Sequence, residues 1–304
     1  MIIAKTKPEI ETLWEHTEEL LVRYQKLKEA YFHQIPDEKI WNILYTAVLY
    51  HDVGKMNNHF QERMYKLLEL DSQIEPSQFG HIPHNYLSPL FLPINNLNLS
   101  KDERKVLIQA IAFHHERTTQ PDINLLNDVF QNELIHHFTT IKEEMNGHID
   151  LPDINQRASK VTSSLRKRIK EIDKGKDQLY FPYVLVKGLL HRLDNAASAH
   201  VPIEVDSDLD IAELTNKYMR EKFGVGSLRE LQTFTYKHQN ENLIIVAQTG
   251  MGKTEASLLW SGNSKTFFTL PIRVSLNALY DRVYDEMNYK QVGLLHGSSA
   301  SHLD

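Results

Sequence analysis

Through the first 200 residues the apolar side chains recur at helix spacing, and after about residue 205 that pattern stops. Ile10, Leu13, Trp14, Leu20, Leu21 and Tyr24 repeat at three to four residues, as do Ile40, Ile43, Leu44, Ala47 and Val48. Ser100 reads as a helix N-cap, with Glu103 at the capping-box position, ahead of the helical run KDERKVLIQAIAFHHER. The segment FPYVLVKGLLHRLDNAASAH gives a further strong apolar helix. Proline-bearing polar loops separate these runs, and residues 117–180 read as a charged insertion of helices and loops. The spacing predicts a mainly helical domain over residues 1–205. Beyond it, NLIIVAQTG, SKTFFTLP and QVGLLHG are strand-like, alternating with the helical segments KTEASLLW and RVSLNALYDRVYDEM. That is a βαβαβ order, which predicts a parallel sheet in a second domain over residues 206–304. The boundary falls near VPIEVDSDLD.

The chain has no cysteine, which excludes disulfides, thiolate zinc sites and a Cys nucleophile, and fits the reducing cytoplasm. A metal site must then come from His, Asp and Glu, and there are 16 histidines. No apolar run approaches the roughly 18 residues of a membrane span, so no membrane partner is expected. The start, MIIAKTKPEI, has no secretory h-region. A net charge of −6 argues against a uniformly basic nucleic-acid binder. Between Arg157 and Lys176, however, eight basic residues stand against two acidic ones, so that stretch is either a solvated helix face or a phosphate-tracking patch.

The helical faces carry groups that do not belong in an apolar core. His114 follows Leu107 and Ile111 and continues the buried stripe of its helix; His115 follows Ile111 by four residues. Asp194 follows Leu190 by four, beside Leu193 and Ala197. His16 lies at the edge of the Leu13–Leu20–Tyr24 stripe, and the doublet His51-Asp52 ends an apolar helix. A lone inward His is more often a hydrogen-bonded core residue, and Asp194 alone has Arg192 as a candidate partner. A buried carboxylate costs about several kcal/mol unless a cation or a partner meets it. Several such positions together point to a metal, and imidazole with carboxylate suits manganese, iron, cobalt, nickel or zinc, with magnesium admitted.

The order His16 in WEHTEELL, His51-Asp52 in YHDVGK, His84 in HNYLS, His114-His115 in AFHHER and Asp194 in LLHRLDNAAS resembles the HD-domain phosphohydrolases. With Phe60-Gln61 and the His84–Ser88 spacing, it resembles more narrowly the nuclease domain of the CRISPR-associated helicase–nuclease family of type I systems. The resemblance implies an HD-type helical metal-dependent phosphohydrolase domain. One divalent metal would be held by His16, His51, Asp52 and Asp194, and a second by Asp52, His84, His114 and His115. Asp52 would bridge the two, and Lys55 would lie near the scissile phosphate. His59, His81, His191 and His200 read as packing or outer-layer residues, and His136-His137 as unrelated to the site.

AQTGMGKT, residues 247–254, is a phosphate loop between a strand-like run and a helix. Backbone N–H groups from Gly250 through Gly252 to Thr254 would cradle phosphates, Lys253 would reach the β- and γ-phosphates, and the Thr254 hydroxyl would bind magnesium. With LRELQTFTYKHQ, where Gln232 would contact adenine, and TLPIRVSLNALYDRV, it resembles the start of a superfamily 2 helicase with a partial α/β RecA-like domain. No acidic box follows before Asp304, so ATP turnover is expected of a longer protein.

With the resemblance to the CRISPR-associated nuclease domain, the reading is a metal-dependent nuclease for single-stranded DNA; the resemblance implies a role in antiviral defence and recruitment of the full protein by an RNA-guided surveillance complex (Cascade). The rival is an HD phosphohydrolase acting on nucleotides or cyclic nucleotides; a third reading is a recruitment module with a degenerate site.

Overall fold

The computed structural model describes all residues except 1, 8, 72–73, 116–119, 154–155, 170–178, 206–208, 300–301 and 303–304. Two compact units divide the chain, Met1–Glu204 and Val205–Asp304.

The first unit opens with a hairpin in which β1 (Ile3–Lys5) pairs antiparallel with β2 (Glu11–Thr12). Helix spacing counted from Ile10 did not foresee it: Ile10 precedes the helix and is 50% exposed. The helix α1 (Leu13–Tyr31) starts at a reciprocal cap. The Thr12 hydroxyl accepts from the Glu15 amide, and the Glu15 carboxylate accepts from the Thr12 amide. Then follow α2 (Glu38–Tyr50), a 3-10 turn at Val53–Met56, α3 (Asn58–Leu67), α4 (His84–Leu87) and α5 (Lys101–Ala112). The cap between Ser100 and Glu103 forms as expected. The expected insertion contains α6 (Ile123–Asn132), α7 (Phe138–Glu144) and α8 (Ser159–Thr162). It does not stand apart, because Leu126, Phe130, Ile141 and Val161 join the same core as Trp41, Leu44 and Leu107. The last helix of this unit, α9 (Tyr180–Ser198), packs on α1, α2 and α5.

Helix α5 is shorter than its apolar run suggested. It stops at Ala112, and Phe113 at its C-cap has φ −116° and ψ 15°. Consecutive residues on a helix point about 100° apart. Ending the helix before His114-His115 frees both imidazoles to turn to one place.

The second unit holds α10 (Ile211–Phe223), α11 (Glu230–Lys237), α12 (Lys253–Ser261) and α13 (Arg273–Asp281) around a small core of Ile211, Leu258, Val283 and Met287. The expected parallel sheet is not formed among its described residues; the hairpin β1–β2 supplies the only strands described. A strand exists through hydrogen bonds to a neighbour, and no backbone bond joins the runs around Ile244, Phe267 and Leu295. Their side chains are correspondingly open: Ile244, Val246 and Leu295 are each more than nine-tenths exposed. No described helix is long and apolar enough to cross a membrane.

Hydrogen exchange should separate the two kinds of segment. Amides of residues 243–247 and 292–296 should exchange near the unprotected rate, while those of α2, α5 and α9 are strongly protected. Protection of the two extended runs equal to that of α5 would show a ladder and refute this description.

Candidate metal centre

Each expected ligand is presented by the end of a helix or the turn after it. His51 is the C-cap of α2, and Asp52 follows directly. The His51 Nδ1 lies 2.8 Å from the Val48 carbonyl, and His114 Nδ1 lies 2.6 Å from that of Ile111. A carbonyl only accepts, so both Nδ1 atoms carry the proton. These bonds use carbonyls of the last helical turn as acceptors and leave each Nε2 as a free lone pair.

His84 is brought to Asp52 by a close approach of α4 to the 3-10 turn. Ser88 Oγ accepts from the Gly54 amide at 2.9 Å and donates to the His84 carbonyl at 3.0 Å. A Cβ on Gly54 would lie 2.2 Å from the His84 carbonyl oxygen and 2.6 Å from the Ser88 amide. Glycine is therefore required by space. Gln61 fixes the other side of the turn: its Nε2 donates to the carbonyls of Lys55 and Ile3, and its Oε1 accepts from Ile3 N. The Gly54, Gln61, His84 and Ser88 pattern in the sequence thus records one packing arrangement.

Seven expected ligands converge in two groups. Asp52, His84, His114 and His115 form one; His16, His51 and Asp194 form the other, with the donor atoms of each within 4.8 Å of one another. Asp52 faces both. Its Oδ1 lies 3.1 Å from His84 Nε2, and its Oδ2 lies 3.4 Å from His51 Nε2 and 3.6 Å from His16 Nε2. Asp194 does likewise, with Oδ1 at 3.2 Å from His16 Nε2 and Oδ2 at 3.7 Å from His115 Nε2. The rings of His114 and His115 lie 3.8 Å apart.

A cation fits this arrangement on the structure's own terms. His51 Nε2, His84 Nε2, His114 Nε2 and both Asp52 oxygens are buried with no aligned hydrogen-bond partner. The close His84–Asp52 approach lacks hydrogen-bond alignment. Orphaned buried donors and acceptors are rare and costly; these five converge on one place. Burial holds His51, His114 and His115 below the usual imidazole range, and His114 furthest, with the neighbouring His115 adding to it. Burial opposes ionisation of Asp52, but His51, Lys55 and His84 together hold its carboxyl well below the usual range. Neutral imidazoles around an ionised carboxylate are what a divalent metal requires. The imidazole-rich donor set favours manganese, iron, cobalt, nickel or zinc over magnesium.

Lys55 Nζ lies 2.6 Å from Asp52 Oδ2, on a side chain 13% exposed. Among the other histidines, His59 and His81 pack on each other, and His136 and His137 sit in a 3-10 turn ahead of α7. His200 lies 2.8 Å from Glu11, a carboxylate that also meets His16 and that apolar periodicity gave no reason to single out. Its one sequence signal is its place just before the cap of α1.

In the second unit the loop before α12 holds Gly250 and Gly252 at positive φ, 83° and 78°. Lys253 Nζ donates to the carbonyls of Ala247 and Gln248 at 2.8 and 2.9 Å, and Thr254 lies in the first turn of α12. Gln232, expected at an adenine ring, is buried with its Nε2 3.3 Å from the Gly252 carbonyl and its Oε1 3.0 Å from the Arg229 amide.

Residues 7–178 match the family described as Cas3, HD domain. A CRISPR-associated nuclease/helicase Cas3 from Methanothermobacter thermautotrophicus is 26% identical over 330 aligned positions, covering 91% of this chain and 38% of that protein. A provisionally named CRISPR-associated nuclease/helicase Cas3 from Methanocaldococcus jannaschii is 35% identical over 77 residues, 23% of this chain and 11% of that protein. The chain thus spans well under half the length of these relatives. No solved structure matches it.

Gly54→Ala should destabilise the first unit by about 1–3 kcal/mol, the usual cost of overpacking, and should weaken metal binding by moving His84 off Asp52. Urea unfolding and metal titration of the same variant check both. An unchanged midpoint with unchanged binding would refute the role assigned to this close approach.

Proposed function

The chain belongs to the Cas3 HD-domain family, and we propose that it is a cytoplasmic, metal-dependent nuclease that cuts single-stranded DNA in type I CRISPR interference. The observation that carries the reading is the pair of donor clusters facing the two oxygens of Asp52, with five buried donor atoms lacking an aligned hydrogen bond. His16, His51, Asp52 and Asp194 would hold one divalent cation, and Asp52, His84, His114 and His115 the other. When bound, such a pair supplies Lewis-acid polarisation of a phosphodiester and a water acidic enough to attack it. The chain's own residues do the rest. His51 and His114 keep their lone pairs aimed inward through their carbonyl bonds. The apolar packing of α2, α5 and α9 keeps bulk water out. His115, 38% exposed, marks the side open to substrate, and Lys55 offers an ammonium for a phosphate oxygen near Asp52.

A basic segment supports a nucleic-acid substrate. Gln109 clamps it to α5, with Nε2 donating to the carbonyls of Ser164 and Lys167 and Oε1 accepting from Ile169 N. The Arg168 guanidinium stacks 4.0 Å over the ring of Phe113, the residue before His114. Arg166 and Lys167 are exposed. The basic run from residue 170 onward lies outside the described residues.

Residues 206–304 we read as the N-terminal part of a RecA-like helicase domain, with ATP and magnesium at Gly250, Gly252, Lys253 and Thr254. The positive φ of both glycines ahead of α12 supports this. Cascade recruitment rests on the family alone.

The discriminating assay is incubation with circular single-stranded DNA, and separately with nucleotides and cyclic nucleotides, under manganese, nickel or magnesium. DNA is expected to be cut and nucleotides spared; the reverse would favour the small-molecule phosphohydrolase. Asp52→Ala should abolish cleavage, since one carboxylate serves both clusters, while His137→Ala and Lys253→Ala should leave it unchanged. Equal cleavage by the Asp52 and His137 variants would overturn the ligand assignment.

Reversing Arg166, Lys167 and Arg168 to Glu should weaken single-stranded DNA binding and flatten its salt dependence. The logarithmic slope should fall by about 0.7 for each phosphate that is no longer neutralised. An unchanged slope would return the segment to a solvated face.

A further inference from the structure

Behind His16 stands a buried carboxylate. Glu11, 7% exposed at the end of the hairpin, places Oε2 3.2 Å from His16 Nδ1. Its Oε1 lies 2.7 Å from Lys5 Nζ and 2.8 Å from His200 Nε2. Lys5 is itself held from α9, donating to the Ser198 carbonyl at 3.0 Å and lying 3.1 Å from His200 Nε2. The relay therefore runs from Lys5 and His200 to Glu11, then to His16, then to Asp194 and Asp52. Among the described residues, His16 is the metal-facing imidazole whose Nδ1 meets a carboxylate; those of His51 and His114 meet neutral carbonyls.

The two clusters also differ in access. The side chains of His16 and His51 are 1% and 0% exposed, and Asp194 is 9%. In the other cluster His84 is 17% and His115 38% exposed. One group of donors is closed, and the other opens to water on one side.

We propose that Glu11 is a positioning residue for the cation held by His16, His51, Asp52 and Asp194, and that it makes the two metal sites unequal. The inference rests on the metal-binding reading above. A carboxylate accepting the Nδ1–H fixes the ring and its tautomer with Nε2 turned inward, and makes that nitrogen a stronger donor. Lys5 and His200 keep the carboxylate from turning away to solvent. The Glu11-backed site, being closed, exchanges its cation slowly; the site of Asp52, His84, His114 and His115 exchanges quickly.

The test is titration of the chelator-stripped 304-residue chain with cobalt(II), followed by calorimetry and visible absorption, with release to a competing chelator timed separately. The wild type should bind in two steps and release in a slow and a fast phase. Glu11→Ala should weaken one step by about 10–100-fold, the usual cost of removing such a partner, and accelerate only the slow phase. Glu11→Gln keeps an acceptor without the charge and should fall between; it carries the test if the alanine variant does not fold. His84→Ala should affect the other step and the fast phase. Two steps unchanged in both Glu11 variants would overturn the proposal, as would equal weakening of both steps, which a general packing role would produce. A wild type that binds no cobalt would refute the metal reading itself, whatever the Glu11 variants do.

Discussion

A carboxylate in an apolar interior has to meet positive charge, and the first unit is organised around that demand at Asp52. The residue is 2% exposed, yet its surroundings favour the ionised form. Three imidazoles approach its two oxygens, and Lys55 approaches one of them. Desolvation of this charge would cost about several kcal/mol if left uncompensated. The helices that bury Asp52 are the same ones whose ends bring the imidazoles around it. Core packing and site assembly are therefore one structural problem: α2, α4, α5 and α9 cannot be repacked without moving a donor.

Helix ends suit this purpose for a reason of geometry. A residue in mid-helix shares its direction with residues three and four away, and neighbours diverge. Past the last turn, adjacent residues are released from that rule, which is how His51 and Asp52, and then His114 and His115, each act as pairs. Carbonyls of the final turn supply acceptors for the Nδ1 protons. The helix backbone thereby orients the ligands.

Much of this was legible in the sequence. The apolar spacing located α2, α5 and α9, and Ser100 with Glu103 located the start of α5. Histidine and aspartate on buried faces singled out six of the residues that the fold brings together, and the family resemblance added His84. What stayed hidden depends on residues distant along the chain. Glu11 lies in a short hairpin whose strands carry little periodicity, and its importance comes from Lys5, His16 and His200 together. The stop of α5 at Ala112 was obscured because the apolar pattern runs on through Phe113. The strand-like runs of the second unit have the composition of strands, but a strand is defined by its neighbours, and composition does not supply them. The stretch from 117 to 180 reads as a charged insertion, and its charge gives no hint that some of its apolar residues, such as Phe130 and Val161, enter the core.

His16 and Asp194 lie 3.2 Å apart in space and 178 residues apart in the chain. During synthesis, then, the N-terminal donors emerge long before the last one. At about 5–20 residues per second, roughly ten seconds or more separate them on the ribosome. A nascent chain has no complete donor set until α9 has emerged and docked. The two donor clusters are therefore completed only by the last helix of the unit, after the core around them has been synthesised.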